Sequence, residues 1–356
     1  SPYRLENPQE FLSERAIERR NFFSLSVDST DLPVNPSYLS QVMNLGGEIH
    51  SQSRWLNGAT VVMQDSALIE QVVSLPFVKW VQYTGKKSTV SNVPKQPSKF
   101  SPAIDYGLSG SQIAQVKGNF LHELGYFGKN IVVGVLDAGF LNVDVNVAFD
   151  SLRLHNRLLG TKDFVGGSDL YRGNFHGGNV LSIMAGNLPQ NYLGTAPDAS
   201  YWLIRTEDVD TEYLKELDFW VAGIEFADSV GSDVVNSSLG YFTFDDPAMN
   251  FTYADMNGEV SRAAKAASMA AQKGMIVVCS AGNEGDKTWK YISTPADAKG
   301  IITVGGVTAD GTPSVFSSFG PSADGRVKPE ICARGTQTSL INSSGNIVAG
   351  NGTSYS

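Results

Sequence analysis

Beyond residue 105 the chain alternates short runs that are apolar at every position with longer stretches of helical periodicity. Ile131-Val132-Val133-Gly134-Val135-Leu136 and Met275-Ile276-Val277-Val278-Cys279 contain no charged or hydrogen-bonding side chain, as expected of parallel strands covered by helices on both faces. The pattern predicts strands over 130–136, 200–205, 233–236, 275–280 and 300–304, and helices from His176, within 211–228 and near 259–273. Gly274 after Lys273 is the expected stop of that last helix, since glycine tolerates the left-handed conformation and a cation favours the negative helix end. Residues 106–356 thus read as one α/β domain with a mostly parallel central sheet.

Residues 1–85 follow another pattern, that of a small α+β unit. Asn7 is placed to cap a helix with Pro8 at its first position and Glu10 completing the capping box, and the charged run 13–20 reads as a solvated helix face. Asn35-Pro36 repeats the start signal, and Gly46 or Gly47 ends that helix. Segments 48–55 and 59–64 read as strands joined at Asn57-Gly58, a strong hairpin signal. Asp65 caps a helix through Val73, and the alternation in 77–83 predicts a final strand. Two helices over such strands make a split βαβ arrangement.

Between the two units the composition turns to Lys, Ser, Pro and Gln, so residues 86–105 are expected to be a linker. The 356 residues carry 27 basic and 36 acidic side chains, a net charge of −9 that argues against nucleic acid or an anionic membrane surface as partner. No apolar run reaches the roughly 18 residues of a membrane span, and the chain opens on Ser1 without a basic-then-apolar signal segment, the missing Met pointing to upstream residues outside this chain. Cys279 and Cys332 suit free thiols as well as a disulfide.

Ligands of such sheets bind beyond the carboxyl ends of the strands. Asp137 stands at one of these ends, where a turn cap is its simplest role. Of the four histidines, only His176 opens a stretch of small residues able to pack a helix tightly beneath a cleft. Asn283 lies between Gly282 and Glu284-Gly285 after an apolar strand; it suits a structural turn, or a donor aimed at a ligand. Gly125–Gly128 precedes its strand, so it is not a phosphate loop, which would follow one.

Asp137-Ala138-Gly139, His176-Gly177, Ala281-Gly282-Asn283 and Gly352-Thr353-Ser354 resemble, in order, the four signature segments of the subtilisin-like serine proteases. Asn236-Ser237-Ser238-Leu239-Gly240 resembles the family's substrate-lining strand, and 316–331 a segment upstream of its serine. The resemblance covers about 108–356 and implies a three-layer subtilisin-like domain. Residues 1–85 resemble the inhibitory, ferredoxin-like propeptide of secreted bacterial (Bacteroidetes-type) members, with the first strand missing and the helix at 8–20 added.

The resemblance implies a serine endopeptidase with Asp137, His176 and Ser354 as catalytic residues and Asn283 as oxyanion donor. It also implies Ser238, Leu239, Gly240, Ala281 and Gly282 as substrate-binding residues, protein or peptide substrates, and the chain's own propeptide as intramolecular inhibitor. No cofactor or catalytic metal is expected, and structural calcium is left open. Self-cleavage is expected between Gly85 and Phe100. Departures are Gly178 after His-Gly, Ala-Arg-Gly at 333–335, and the absence after Ser356 of the family's long buried helix, so the domain is expected to continue past this chain. Rival readings are a catalytically inactive binding or adhesion module and a carboxyl-peptidase relative, against which Asn283 and His176 both count. The sequons at Asn236, Asn250, Asn342 and Asn351 include two in cleft motifs, which points to a non-glycosylating bacterial host, and the resemblance implies a secreted, periplasmic or cell-surface location.

Overall fold

A computed structural model describes residues 2–85, 105–166 and 169–356. The expected linker and processing region falls almost wholly on 86–104, outside the described residues. In the N-terminal unit Pro8–Glu10 is a single 3-10 turn, where Asn7 makes no backbone cap bond and instead donates to the Glu10 carboxylate at 3.4 Å. Ser13, accepting from the Ala16 N–H, starts the true helix α1 (Glu14–Phe22). α2 (Pro36–Asn44) begins where the Asn35 side chain accepts from the Ser37 N–H, and the chain turns away at Gly46 with φ +86°. β1 (Gly47–Ser53) and β2 (Gly58–Met63) pair antiparallel around Asn57-Gly58, and an Asp65-capped turn leads into α3 (Ile69–Val73).

Two further expectations fail here. The segment 77–83 pairs with neither strand: Trp80 and Tyr83 stay largely exposed, and Phe77 stacks on Tyr38 at 4.1 Å. Its alternation is real, but its end, with Thr84 just beyond, bonds to the other unit. Gln82 accepts from Arg262, and the Thr84 carbonyl accepts from the Lys215 N–H at 2.8 Å, an otherwise orphaned donor at a helix start. The sheet therefore has two strands, and the split βαβ arrangement is not completed. Nor is 13–20 a solvated face, since Arg19 and Arg20 are buried against the second unit. Their guanidinium groups meet Asp228, and a charged pattern does not reveal a partner more than 200 residues away in sequence.

The second unit opens with α4 (Gly110–Gln115) and α5 (Gly118–Glu123). It continues through β3 (Val132–Asp137), α6 (Asp150–Leu154), β4 (Leu158–Asp163), α7 (His176–Ala185), the small hairpin β5 (Asn187–Leu188) and β6 (Tyr192–Leu193), and β7 (Ser200–Arg205). Next come α8 (Lys215–Ser229), β8 (Val234–Ser237), α9 (Arg262–Gln272), β9 (Ile276–Ser280), β10 (Ile302–Val307) and β11 (Ile331–Arg334), then the hairpin β12 (Thr338–Ile341) and β13 (Ile347–Gly350). Seven strands form one parallel sheet in the order β11-β10-β9-β8-β3-β7-β4.

The apolar runs are explained by their two covered faces. Val133 and Val135 of β3 point into a cluster with Phe140, Val180 and Leu181, whereas Leu136 points the other way, among Trp220, Ile224, Val277 and the alanines of α9. The result is three layers, with α8 and α9 on one side and α7 on the other. Strand β4 escapes sequence recognition because an edge strand needs little burial, and Leu-Leu-Gly-Thr-Lys-Asp carries almost no strand signal. Gly274 does stop α9, at φ +85°. Both cysteines are free: Cys279 is buried, its thiol pushed up to about 12 by burial, and Cys332 is exposed. Among the described residues no helix is long and apolar enough to cross a membrane.

Trp220, fully buried and donating to the Ser237 hydroxyl at 2.8 Å, ties α8 to the end of β8. Trp220→Ala is expected to cost about 3–5 kcal/mol in chemical denaturation, because it empties a large site and leaves Ser237 unpaired.

Candidate active site

β3 is a central strand, so its carboxyl end emerges between β7 and β8 and is covered from both sides. Asp137, its last residue, is fully buried. One carboxylate oxygen, Oδ1, accepts from the Ala138 N–H and from His176 Nδ1, both at 2.7 Å. Since that oxygen can only accept, the His176 proton resides on Nδ1 and Nε2 presents its lone pair. His176 is the first residue of α7, and its own N–H is held by the Asn174 side chain at 2.7 Å.

The approach of α7 to β3 depends on Gly177. A Cβ there would lie 2.6 Å from the Gly139 carbonyl oxygen, 2.8 Å from the Asp137 Cβ and 2.9 Å from the Phe140 ring. The other histidines are occupied elsewhere: His50 with the Phe164 carbonyl, His122 with Tyr106 and the Thr195 carbonyl, His155 with the Ser151 carbonyl.

Ser354 lies in a 3-10 turn, Thr353–Tyr355, entered through Gly352 at φ +151°. The Tyr355 ring lies 5.9 Å from the His176 ring between centroids, which places the serine turn beside the imidazole. The Ser354 hydroxyl donates to the Ser238 carbonyl at 3.4 Å, and the Ser238 hydroxyl donates to the Ser354 carbonyl at 3.1 Å. No hydrogen bond joins Ser354 to His176. Asn283 belongs to the same cluster: its Oδ1 accepts from the Thr353 N–H at 2.8 Å and the Thr353 hydroxyl at 3.0 Å, leaving the amide N–H end unspent.

Two short segments flank these groups. Leu239 and Gly240 follow β8, and their backbone groups pair with no other segment among the described residues. Opposite them, Ala281 and Gly282 are held in place: the Ala281 N–H donates to Val304, and the Gly282 carbonyl accepts from the Ser318 N–H, both at 2.9 Å. Sequence reading missed two contributors. Thr353 clamps Gly282 and Asn283 through its hydroxyl, and Ser293 lies between the walls, its hydroxyl oxygen 2.3 Å and 3.2 Å from where a Cβ on Gly240 and Gly282 would stand. Neither carries a local signal, since both act through chain-distant contacts.

Burial alone would depress the His176 pKa, but the charge and hydrogen bond of Asp137, with a smaller contribution from Glu207, outweigh it and hold the imidazole above its ordinary value of 6.5. Glu207, Glu212 and Glu216 form a neighbouring cluster with carboxylate oxygens within 4.8 Å of one another. Burial first, then mutual repulsion, raises the pKa of Glu212 and Glu216; for Glu207 burial dominates and Asp137 adds to it. Glu207 accepts from the Tyr241 hydroxyl at 2.7 Å, and Glu216 from the Asp208 and Tyr213 N–H groups at 3.0 Å each. The Glu207 and Glu216 oxygens thus already serve protein donors.

A model of the subtilase family matches residues 128–356, and a model of the peptidase S8 propeptide domain of Bacteroidota matches residues 1–100. Among curated proteins the chain is similar to subtilisin NAT of Bacillus subtilis subsp. natto and subtilisin E of Bacillus subtilis strain 168, 27% identical to each over 283 residues. Each alignment covers 78% of this chain and 63% of the relative, so the chain spans less than two thirds of the length of the relatives it matches. The major intracellular serine protease of Bacillus subtilis strain 168 is 29% identical over 223 residues, 60% of this chain and 62% of the relative. Among solved structures the prenylagaramide maturation protease PagA superposes with a TM-score of 0.50 at 21% identity, covering 67% of this chain and 75% of that one, a likeness of fold alone.

Two outcomes are expected from this geometry. In an NMR titration the His176 ring should titrate above 6.5 in the native chain and lower in Asp137→Asn, where only the smaller contribution of Glu207 still opposes burial. Gly177→Ala should lower stability by about 1–3 kcal/mol and weaken the His176–Asp137 bond, read as loss of its far-downfield Nδ1 proton resonance.

Proposed function

The chain belongs to the subtilase family, and from that premise we propose that it is a serine endopeptidase made as a zymogen, with Ser354 as nucleophile. The observation that carries this reading is the buried Asp137–His176 bond, made in the same cleft as Ser354 and Asn283. The Ser354 oxygen attacks the carbonyl carbon of a peptide bond while His176 Nε2 takes its proton. The oxyanion that forms accepts from the Asn283 amide and the Ser354 N–H. Collapse breaks the carbon–nitrogen bond, the proton passes from His176 to the leaving amine, and water then releases the acyl group by the same steps in reverse. Asp137 stays ionised, fixing the imidazole tautomer and favouring its charged form. No cofactor is needed for this chemistry.

A peptide substrate is read as an added strand along the unpaired backbone of Leu239 and Gly240, beside Ser238, with the Ala281-Gly282 wall opposite. Residues 1–85 act as the inhibitor. Their last described residues run to the carboxyl edge of the sheet, where Thr84 caps α8 and a Cβ on Gly85 would lie 2.4 Å from the Tyr213 Cβ. The cut that frees this unit belongs between Gly85 and Phe100. A latent form suits delivery outside the cytoplasm. The inactive-module reading gains nothing from Gly178, which packs toward Val143 and takes no part in the Asp–His bond.

Once the N-terminal unit is released, a fluorophosphonate probe should label Ser354 and fail to label Ser354→Ala; an unlabelled wild-type chain refutes the protease reading. Asn283→Ala should reduce kcat by about 10²–10³-fold, the loss known for this donor in subtilisin itself, and lower stability by about 1–3 kcal/mol, because the buried Thr353 N–H and hydroxyl lose their acceptor. Purified Ser354→Ala should remain uncut between Gly85 and Phe100, and persistent cutting there would assign processing to another protease.

A further inference from the structure

We propose that Ser293 decides which side chain the cleft accepts at the residue before the scissile bond. It selects a short, uncharged group able to hydrogen-bond, such as that of asparagine or serine, over an aromatic ring. This selectivity rests on the protease reading, since it concerns the substrate of that same cleft.

The two walls that flank the substrate strand are joined at one end. Tyr241, just past Gly240, pairs with Thr294: its N–H donates to the Thr294 carbonyl at 2.8 Å, and its own carbonyl accepts from the Thr294 N–H at 3.2 Å. One residue earlier, the Ser293 N–H donates to the Ala281 carbonyl of the opposite wall at 3.4 Å. Residues 293 and 294 thereby bridge the walls, and the gap between them has a floor. The Ser293 hydroxyl projects from that floor, its oxygen 2.3 Å from where a Cβ on Gly240 would stand and 3.2 Å from where one on Gly282 would stand. Adding one carbon–carbon bond leaves that oxygen within about 4 Å of the Gly240 Cα, in contact with the wall itself.

Two other serine hydroxyls stand about this gap, and both are spent. Ser238 donates to the Ser354 carbonyl at 3.1 Å, and Ser318 accepts from the Glu284 N–H at 3.0 Å. Ser293 is only 2% exposed, yet its hydroxyl has no hydrogen-bond partner among the described residues. A substrate ring pressed onto it would take away its last access to water and return no bond, the costly case for a buried polar group. The ring would also need about 3.5 Å of clear space on each face, and the hydroxyl interrupts that space. An amide or hydroxyl tip satisfies the serine instead. A charged tip finds less, since Glu284, next to Asn283, is already paired with Lys287 at 2.9 Å. The chain's own connecting segment, the first to be cut on this reading, fits the same preference: residues 86–99 include Ser88, Ser91, Asn92 and Ser98 and no aromatic residue.

Peptide anilides that differ only in carrying asparagine, leucine or phenylalanine before the scissile bond test this on the chain freed of its N-terminal unit. Asparagine and leucine differ little in size, so their ratio reads the hydrogen bond, and phenylalanine reads the space. The parent should cleave the asparagine peptide with a kcat/KM about tenfold above leucine and about a hundredfold above phenylalanine. Ser293→Ala should bring asparagine and leucine within about twofold of each other. Ser293→Gly, which also clears the gap, should raise kcat/KM for the phenylalanine peptide roughly tenfold, chiefly through KM. A parent that cleaves the phenylalanine peptide as well as the asparagine one overturns the proposal, as do two variants whose ratios both stay within about threefold of the parent's. Neither variant strands a protein donor or acceptor, so both are expected to fold, and the parent's own ranking decides if one does not. Fluorophosphonate labelling separates the two readings. A labelled chain with the wrong ranking overturns the selectivity alone, whereas an unlabelled chain that cleaves no peptide overturns the protease reading and the selectivity with it.

Discussion

The site depends on bringing a histidine at the start of a helix against an aspartate at the end of a central strand. Asp137 is buried on every side, so its charge is tolerable only with donors at bonding distance, and His176 and the Ala138 N–H are those donors. That approach is a packing matter before it is a chemical one. Any side chain at 177 would strike the Gly139 carbonyl and the Phe140 ring, so backbone contact between α7 and the β3 turn sets where the imidazole can stand. The acidic group then holds the ring's tautomer and raises its proton affinity against the opposing effect of burial.

The remaining parts of the cleft are placed by the same sheet. β3, β8 and β9 are adjacent and parallel, so Asp137, Ser238 and Ala281–Asn283 all emerge at one edge. Ser354 arrives from outside the sheet, through the β12–β13 hairpin, and is fastened by reciprocal bonds with Ser238 and by Thr353 on Gly282 and Asn283. Thr353 thus does for the oxyanion side what Gly177 does for the base: it makes a backbone approach repeatable.

The N-terminal unit is joined to the sheet domain by polar contacts more than by its own architecture. Its hairpin is too small to bury much, and its last segment spends its bonds on Arg262 and Lys215 instead of on a third strand. Charge on α1 accordingly does not mark a solvated face. It marks an interface in which buried arginines answer a buried aspartate, and losing either partner leaves the other unpaired in a poorly solvated place.

Much of this is legible in the residues themselves. Unbroken apolar runs predict β3 and β9 because covering both faces of a parallel strand leaves no polar position, and Asn35, Asp65 and Gly274 mark helix boundaries through local hydrogen bonding and backbone freedom. Those rules act within a few residues, so a sequence displays them. The segment signatures around Asp137, His176, Asn283 and Ser354 also point to one another by resemblance. What only the tertiary structure decided involves partners far apart in the chain: the edge strand β4, the unpaired 77–83, the hydroxyls of Thr353 and Ser293 between the walls, and the burial of Arg19 and Arg20 on Asp228. Periodicity reports which side chains avoid water. It does not report which distant group a buried charge will meet.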